Sequence, residues 1–113
     1  MKVESALVAY LGPVVGCKVS ADVPNPRPPS LVTVERTGGG SGIAIDRPRV
    51  AVQCWGETRQ SALALSQVVE AAMDALPTTD WCYKASKLSD YYFAGEGGEP
   101  RYQLVYDLAC DPR

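Results

Sequence analysis

The sequence contains no histidine. Without an imidazole there is no general base of the kind that activates a serine or cysteine nucleophile, so Ser-His and Cys-His catalysis are excluded. The four cysteines, Cys17, Cys54, Cys82 and Cys110, include no C-x-x-C pair. That leaves no closely spaced ligand set for zinc, and neither metal nor cofactor is expected. No stretch approaches the ~20 consecutive apolar residues that a membrane helix requires. No basic cluster is present either. The cations Arg27, Arg36, Arg47, Arg49, Arg59, Lys84, Lys87 and Arg101 are scattered, and the formal net charge is -2. Nucleic acid is therefore not expected as a main ligand, because affinity for it comes from grouped Lys and Arg.

What is present is enough apolar material for one core. The chain has 113 residues, 46% hydrophobic and 21% charged, which fits a single domain over residues 1–113. The start, Met1-Lys2-Val3-Glu4, brings an acid early and no long apolar block, so it does not read as a secretory signal. The protein is expected to be made and kept in the cytoplasm, or in a particle assembled there. In that reducing setting the four cysteines are expected to be free, small buried hydrophobes.

Apolar spacing predicts a first helix over residues 2–11, through Val3, Ala6, Leu7, Tyr10 and Leu11, ended by Gly12-Pro13. Residues 14–23 alternate and predict a half-buried strand, followed by a stiff, proline-rich surface connection over Pro24–Pro29. Strands are predicted at 31–36 and 49–55. Between them, Thr37-Gly38-Gly39-Gly40-Ser41-Gly42 reads as a flexible hairpin tip. Residues 58–76 predict a helix capped by Thr58 and stopped by Pro77. Its inner face is read as Ala62, Leu65, Val69, Ala72 and Leu76, joined by Val68, Met73 and Ala75. Strands at 81–93, long or bulged, and at 101–110 predict a second hairpin. One helical crossover between the strand groups predicts an α+β fold. Its sheet should be mainly antiparallel, of about four to five strands, with two helices packed on one face.

No short motif pairs the carboxylates, and pairing in space is not readable from sequence. The glycine run lacks the following lysine and helix of a phosphate-binding loop. Trp55, Trp81, Tyr83, Tyr91, Tyr92, Tyr102 and Tyr106 lack a basic stripe beside them. They read as core or interface residues rather than as platforms for bases.

One stretch is more distinctive: Arg27-Pro28, then LVTVERTGG, then RVAVQCWGETRQSALALSQVVEAAMDAL. This order resembles the tail terminator, or tail-completion, proteins of long-tailed bacteriophages. Those minor tail proteins start with a short helix and continue with an R-P stretch, a strand ending in R-T-G-G and a strand of V-Q-x-W character. An alanine-rich helix and two final strands complete them. The resemblance spans about Val3 to Cys110. It implies a non-enzymatic structural virion protein, located at the head-proximal end of the tail. Such a protein would form a ring with itself, usually a hexamer, on the end of the tail tube. The implied partners are the tube protein, whose polymerisation the ring stops, and the head–tail connector or stopper protein that joins the other side. DNA would pass through the lumen without specific binding, and no membrane is involved. Another neck protein such as a head–tail stopper, or a small cytoplasmic ferredoxin-like binding or regulatory module, are the alternatives. Within this frame Arg27, Arg36, Gly38, Gly39, Gly40, Arg47 and Arg49 are the candidate interaction residues, because they lie on exposed connections or frame the glycine run.

Overall fold

The structure, a computed structural model, describes residues 2–42 and 44–112. Helix α1 (Val3–Val15) is followed by β1 (Lys18–Ser20), β2 (Leu31–Ser41), β3 (Asp46–Trp55) and helix α2 (Arg59–Asp74). A short 3-10 turn (Leu76–Thr78), β4 (Cys82–Tyr92) and β5 (Arg101–Cys110) complete the chain. The five strands form one sheet in the order β1-β2-β3-β5-β4. Only β1 and β2 run parallel, so the fold is α+β with a mostly antiparallel sheet, as the single crossover predicts.

Strand β3 pairs on both sides, and its register fixes which residues share a face. Val50, Val52 and Cys54 lie opposite Tyr106, Leu104 and Tyr102 of β5. On the other side Val52 and Cys54 lie opposite Val34 and Val32 of β2. Residues of this parity join Leu7 and Leu11 of α1 and Val69, Ala72 and Met73 of α2 in one core cluster. Polar contacts reinforce the same side. The Tyr10 hydroxyl donates to the Ala72 carbonyl at 2.7 Å, and the Tyr106 hydroxyl donates to Asp74 at 3.0 Å. Burial, followed by the Asp74 carboxylate, pushes the Tyr106 hydroxyl well above the ordinary tyrosine range, so it stays a donor.

Three expectations are corrected. Helix α1 runs through Gly12-Pro13 to Val15 and ends at Gly16, whose φ of 75° is the left-handed cap. Pro13 removes one backbone donor near the end of the helix, and that is not enough to stop it. Strand β1 is therefore only three residues long, not the ten of 14–23, because Val14 and Val15 belong to the helix. The glycine run is the third. Strand β2 continues through Gly38, Gly39 and Gly40, which pair with Arg49, Pro48 and Arg47 after a bulge between Arg36 and Gly38. Ladder partners on β3 hold this run in the strand, with Gly39 at a positive φ of 90° that glycine accepts.

Helix α2 begins as predicted. Thr58 accepts from the Ser61 backbone at 3.1 Å, and Ser61 returns the bond to the Thr58 backbone at 3.0 Å. Its buried face is Ala62, Ser66, Val69, Ala72 and Met73, with Leu65 half-buried. Val68 and Ala75, assigned to that face from spacing, are exposed. Ser66 takes an inner position because it is small and its hydroxyl is satisfied by the Leu63 carbonyl at 2.6 Å. This phase gives a paired test. Val69→Asp, at a position 0% exposed, buries an unpaired charge and should abolish the cooperative thermal transition. Val68→Asp, one residue earlier and 45% exposed, should change stability by under ~0.5 kcal/mol in denaturant melts at low protein concentration.

Candidate interaction surface

The sheet face of opposite parity carries a closed circuit of side-chain contacts across four strands. The Trp55 indole donates to Thr33 Oγ1 at 3.1 Å, and the Thr33 hydroxyl donates to Gln53 Oε1 at 2.8 Å. Gln53 Nε2 donates to Gln103 Oε1 at 2.9 Å, and Gln103 Nε2 donates to the Tyr91 hydroxyl oxygen at 2.6 Å. Tyr91 and Phe93 hold ring centroids 5.8 Å apart. The Arg101 guanidinium lies 4.7 Å from the Phe93 centroid and 4.8 Å from that of Trp55, which closes the loop. Arg101 is itself fixed, since its Nε donates to the Phe93 carbonyl at 2.8 Å. Arg27 adds a second cation over Trp55 at 5.4 Å. Trp55 and Thr33 are buried, whereas Tyr91 and Phe93 are exposed. The arrangement is a rigid platform with aromatic groups at its outer edge.

Register also gathers charge that is dispersed along the sequence. Arg47, Arg49, Lys84 and Arg101 share this parity, and Arg27 lies against it. Only Glu35 and Asp107 oppose them among the strand residues of the face. Among the strand residues of this face cations outnumber acids, in a chain whose formal charge is -2, and the β4–β5 turn brings the Glu99 carboxylate close to the Trp55 end. No sequence window contains this set, because it draws on four separate segments.

The candidate interaction residues divide accordingly. Arg27 is held by Trp55 and by the Pro28 carbonyl, to which its Nη1 donates at 3.3 Å. Arg36 makes a two-pronged pair with the nearly buried Asp46 at 3.1 and 3.3 Å and donates through Nε to the Gly38 carbonyl, so it closes the far end of the hairpin. Arg49 pairs with Asp107 at 2.8 and 3.1 Å, and the guanidinium holds the Asp107 carboxyl below its ordinary range. Arg47 is exposed and has no salt-bridge partner among the described residues. It is the arginine of the four left free for a partner. Residues that sequence reasoning missed are Thr33, Gln53, Gln103, Phe93 and Arg101. Gln53 and Gln103 carry no local signal of this contact, which exists only because cross-strand pairing sets them side by side.

The helix side differs in character. A cleft of about 630 Å³ is lined by Tyr10, Val14, Ala64, Val68, Ala71 and Ala75, together with Gln67 and Ala72. Its rim is uncharged because the charges of α2 turn towards the sheet. Lys87 pairs with Glu70 and Asp90, Asp74 accepts from Tyr106, and Arg59 stands 4.2 Å over the Tyr92 ring. No group of three His, Cys, Asp or Glu side chains gathers as a metal site among the described residues.

The four thiols are unpaired as disulfides. Burial pushes the Cys54 thiol well up, and Cys17, the most accessible of the four, is also raised by burial. Cys82 and Cys110 face one another across β4 and β5. Contact with Cys110 lowers the Cys82 thiol to about 7, while contact with Cys82, followed by burial, raises Cys110. The Cys82 Sγ donates to the Lys84 carbonyl at 3.3 Å, and both thiols are buried in the core. Compared with known proteins, the chain matches no family model and no curated relative.

Two outcomes follow from this geometry. A Cβ on Gly39, whose φ is 90°, would run into the Arg47 carbonyl oxygen and the Arg49 nitrogen, whereas Gly40 has open space around it. Gly39→Ala should cost more than ~1 kcal/mol and Gly40→Ala far less, read by chemical denaturation. Native alkylation should reach Cys17 before the other three. Because its thiol is raised, the thiolate fraction is small at neutral pH, and the rate should still be climbing at pH 9 instead of levelling off. Mass mapping of the first adduct to Cys54, Cys82 or Cys110 would contradict that order.

Proposed function

We propose that this chain is a structural assembly subunit of the tail-terminator kind. It closes a ring, hexameric in the family it resembles, that caps a tail tube, stops its polymerisation and offers a joint to the head connector. DNA passes through the opening. The observation that carries this reading is the pinned platform around Trp55. Trp, Tyr and Arg are the side chains that dominate protein–protein contact energies. Here they are held in place before any partner arrives, so little side-chain freedom is lost on association. The same chain offers a second, uncharged apolar surface on its helices. Two unlike surfaces on one small subunit suit a repeated contact, and closure lets several modest contacts support each other.

Chemistry is a poorer account of the same residues. Asp46, Glu70, Asp90 and Asp107 are engaged in ion pairs within the chain, and Asp74 receives the Tyr106 hydroxyl. Their partners serve the fold, and the open cleft that gathers Glu4, Asp22 and Glu35 with Lys2 and Arg36 leaves those groups exposed or half-buried.

Native mass spectrometry across a concentration series tests the reading. The expected result is one closed oligomer of fixed copy number that, added to a polymerising tail-tube protein, shortens the tubes. A chain that stays monomeric at its highest attainable concentration, or forms a ladder without an upper bound, would overturn it.

A further inference from the structure

We propose that Cys82 and Cys110 are an oxidisable pair, which latches the open end of the β4–β5 hairpin with a disulfide when a peroxide reaches it. The latch acts within one chain, whether or not copies form a ring. The two residues lie directly opposite one another in the ladder, Cys82 as the first residue of β4 and Cys110 as the last of β5. One step further out, the Asp111 amide donates to the Trp81 carbonyl at 2.8 Å. A bond in that place flanks the cysteines and makes them a non-hydrogen-bonded pair. At such a site Cα atoms stand about 4.5 Å apart and side chains approach most closely. Disulfides span Cα separations of about 4.4–6.8 Å, so the strands need no shift to be bridged. Both side chains belong to the one core cluster, and each sulfur is the strongest influence on the acidity of the other.

The other two thiols are placed differently. Cys17 precedes β1 and Cys54 lies on β3, with β2 between those strands, so they are not ladder partners. Position also decides how an oxidant gains access. Strand β4 is an edge of the sheet, and its ladder with β5 shifts register between Cys82 and Lys84, beside the pair. An edge strand interrupted by a bulge opens locally at less cost than a central one. Exposures of 1% at Cys82 and 0% at Cys110 exclude bulky reagents, which selects a small oxidant such as hydrogen peroxide. Cys82, lowered to about 7, is the attacking sulfur, and Cys110, raised, keeps its proton until the second step. The Cys82 thiolate attacks one peroxide oxygen, the O–O bond breaks, and a sulfenic acid forms with release of hydroxide. That hydroxide takes the Cys110 proton and becomes water. The Cys110 sulfur then attacks the Cys82 sulfur, forming the S–S bond. The expelled oxygen leaves as a second water, with the proton first lost by Cys82. Two thiols give up two electrons, and one peroxide is reduced to water.

Hydrogen peroxide treatment of the full native chain, followed by alkylation in denaturant, tests the latch. Two of the four thiols should be lost, and peptide mapping without reductant should join the Cys82 peptide to the Cys110 peptide. A dithiol reductant should restore all four. Cys17→Ala, which removes the most accessible thiol, should leave the same link in place. Amide hydrogen exchange at residues 83–85 should be slower in the oxidised protein than in the reduced one, because β4 can no longer part from β5 at that end. A link that includes Cys17 or Cys54 overturns the pairing. So do four thiols left unchanged at a dose that oxidises the urea-unfolded chain, or Cys82 driven to sulfinic acid without a link. Exchange that stays equal once the link has formed overturns the latch.

Discussion

Strand β3 is the constraint on which both surfaces of the molecule depend. It pairs with β2 on one side and β5 on the other, so its alternation is imposed on three strands at once. Val50, Val52 and Cys54 go to the core, while Ala51, Gln53 and Trp55 go to the opposite face. A slip of one residue would move Gln53 and Trp55 into the core and three buried side chains out of it. Burial of the valine set therefore fixes the register, and the register in turn sets Gln53 beside Gln103 and Trp55 beside Arg101. The platform is a consequence of the core.

The same constraint separates charge. Arginines that stand far apart in the chain share a sheet face, and the acids of α2 are drawn towards Lys87 and Tyr106 on the other side. Drawing them in leaves the outer surface of α2 without charge at Leu63, Ala64, Gln67, Val68 and Ala71. Exposed and uncharged, that surface is favoured for contact with another apolar one. A subunit with one polar, charged side and one uncharged apolar side is suited to repeating contacts with copies of itself, and the proposed ring uses that asymmetry.

Much of the fold was legible along the chain. The alternation of Tyr102, Leu104, Tyr106 and Leu108 marked β5, and Thr58 marked the start of α2, because both signals are local. What was not legible depended on partners distant in sequence. Gly38-Gly39-Gly40 carries every local sign of a loop, yet the backbone of Arg47-Pro48-Arg49 extends it as strand. Pro13 looked like a helix stop, and the stop is Gly16, whose left-handed backbone decides it. Spacing alone put Val68 inside α2 and left Ser66 unremarked, because it cannot see that a hydroxyl bonded to its own helix is cheap to bury. The surface residues were harder still. Arg36 was chosen as a contact residue because it frames the glycine run, and it proves to be occupied by Asp46. Arg101, in a segment read only as a clean strand, joins Trp55 to Phe93.

The central claim is that the two unlike surfaces are covered together when copies associate. Hydroxyl-radical footprinting at high and low protein concentration measures this side chain by side chain. The account predicts that Tyr91 and Phe93 lose reactivity on concentration in parallel with Leu63 and Val68, while Tyr10 and Val14 follow at the cleft edge. Protection of one set without the other, or equal reactivity of both at the two concentrations, would contradict it.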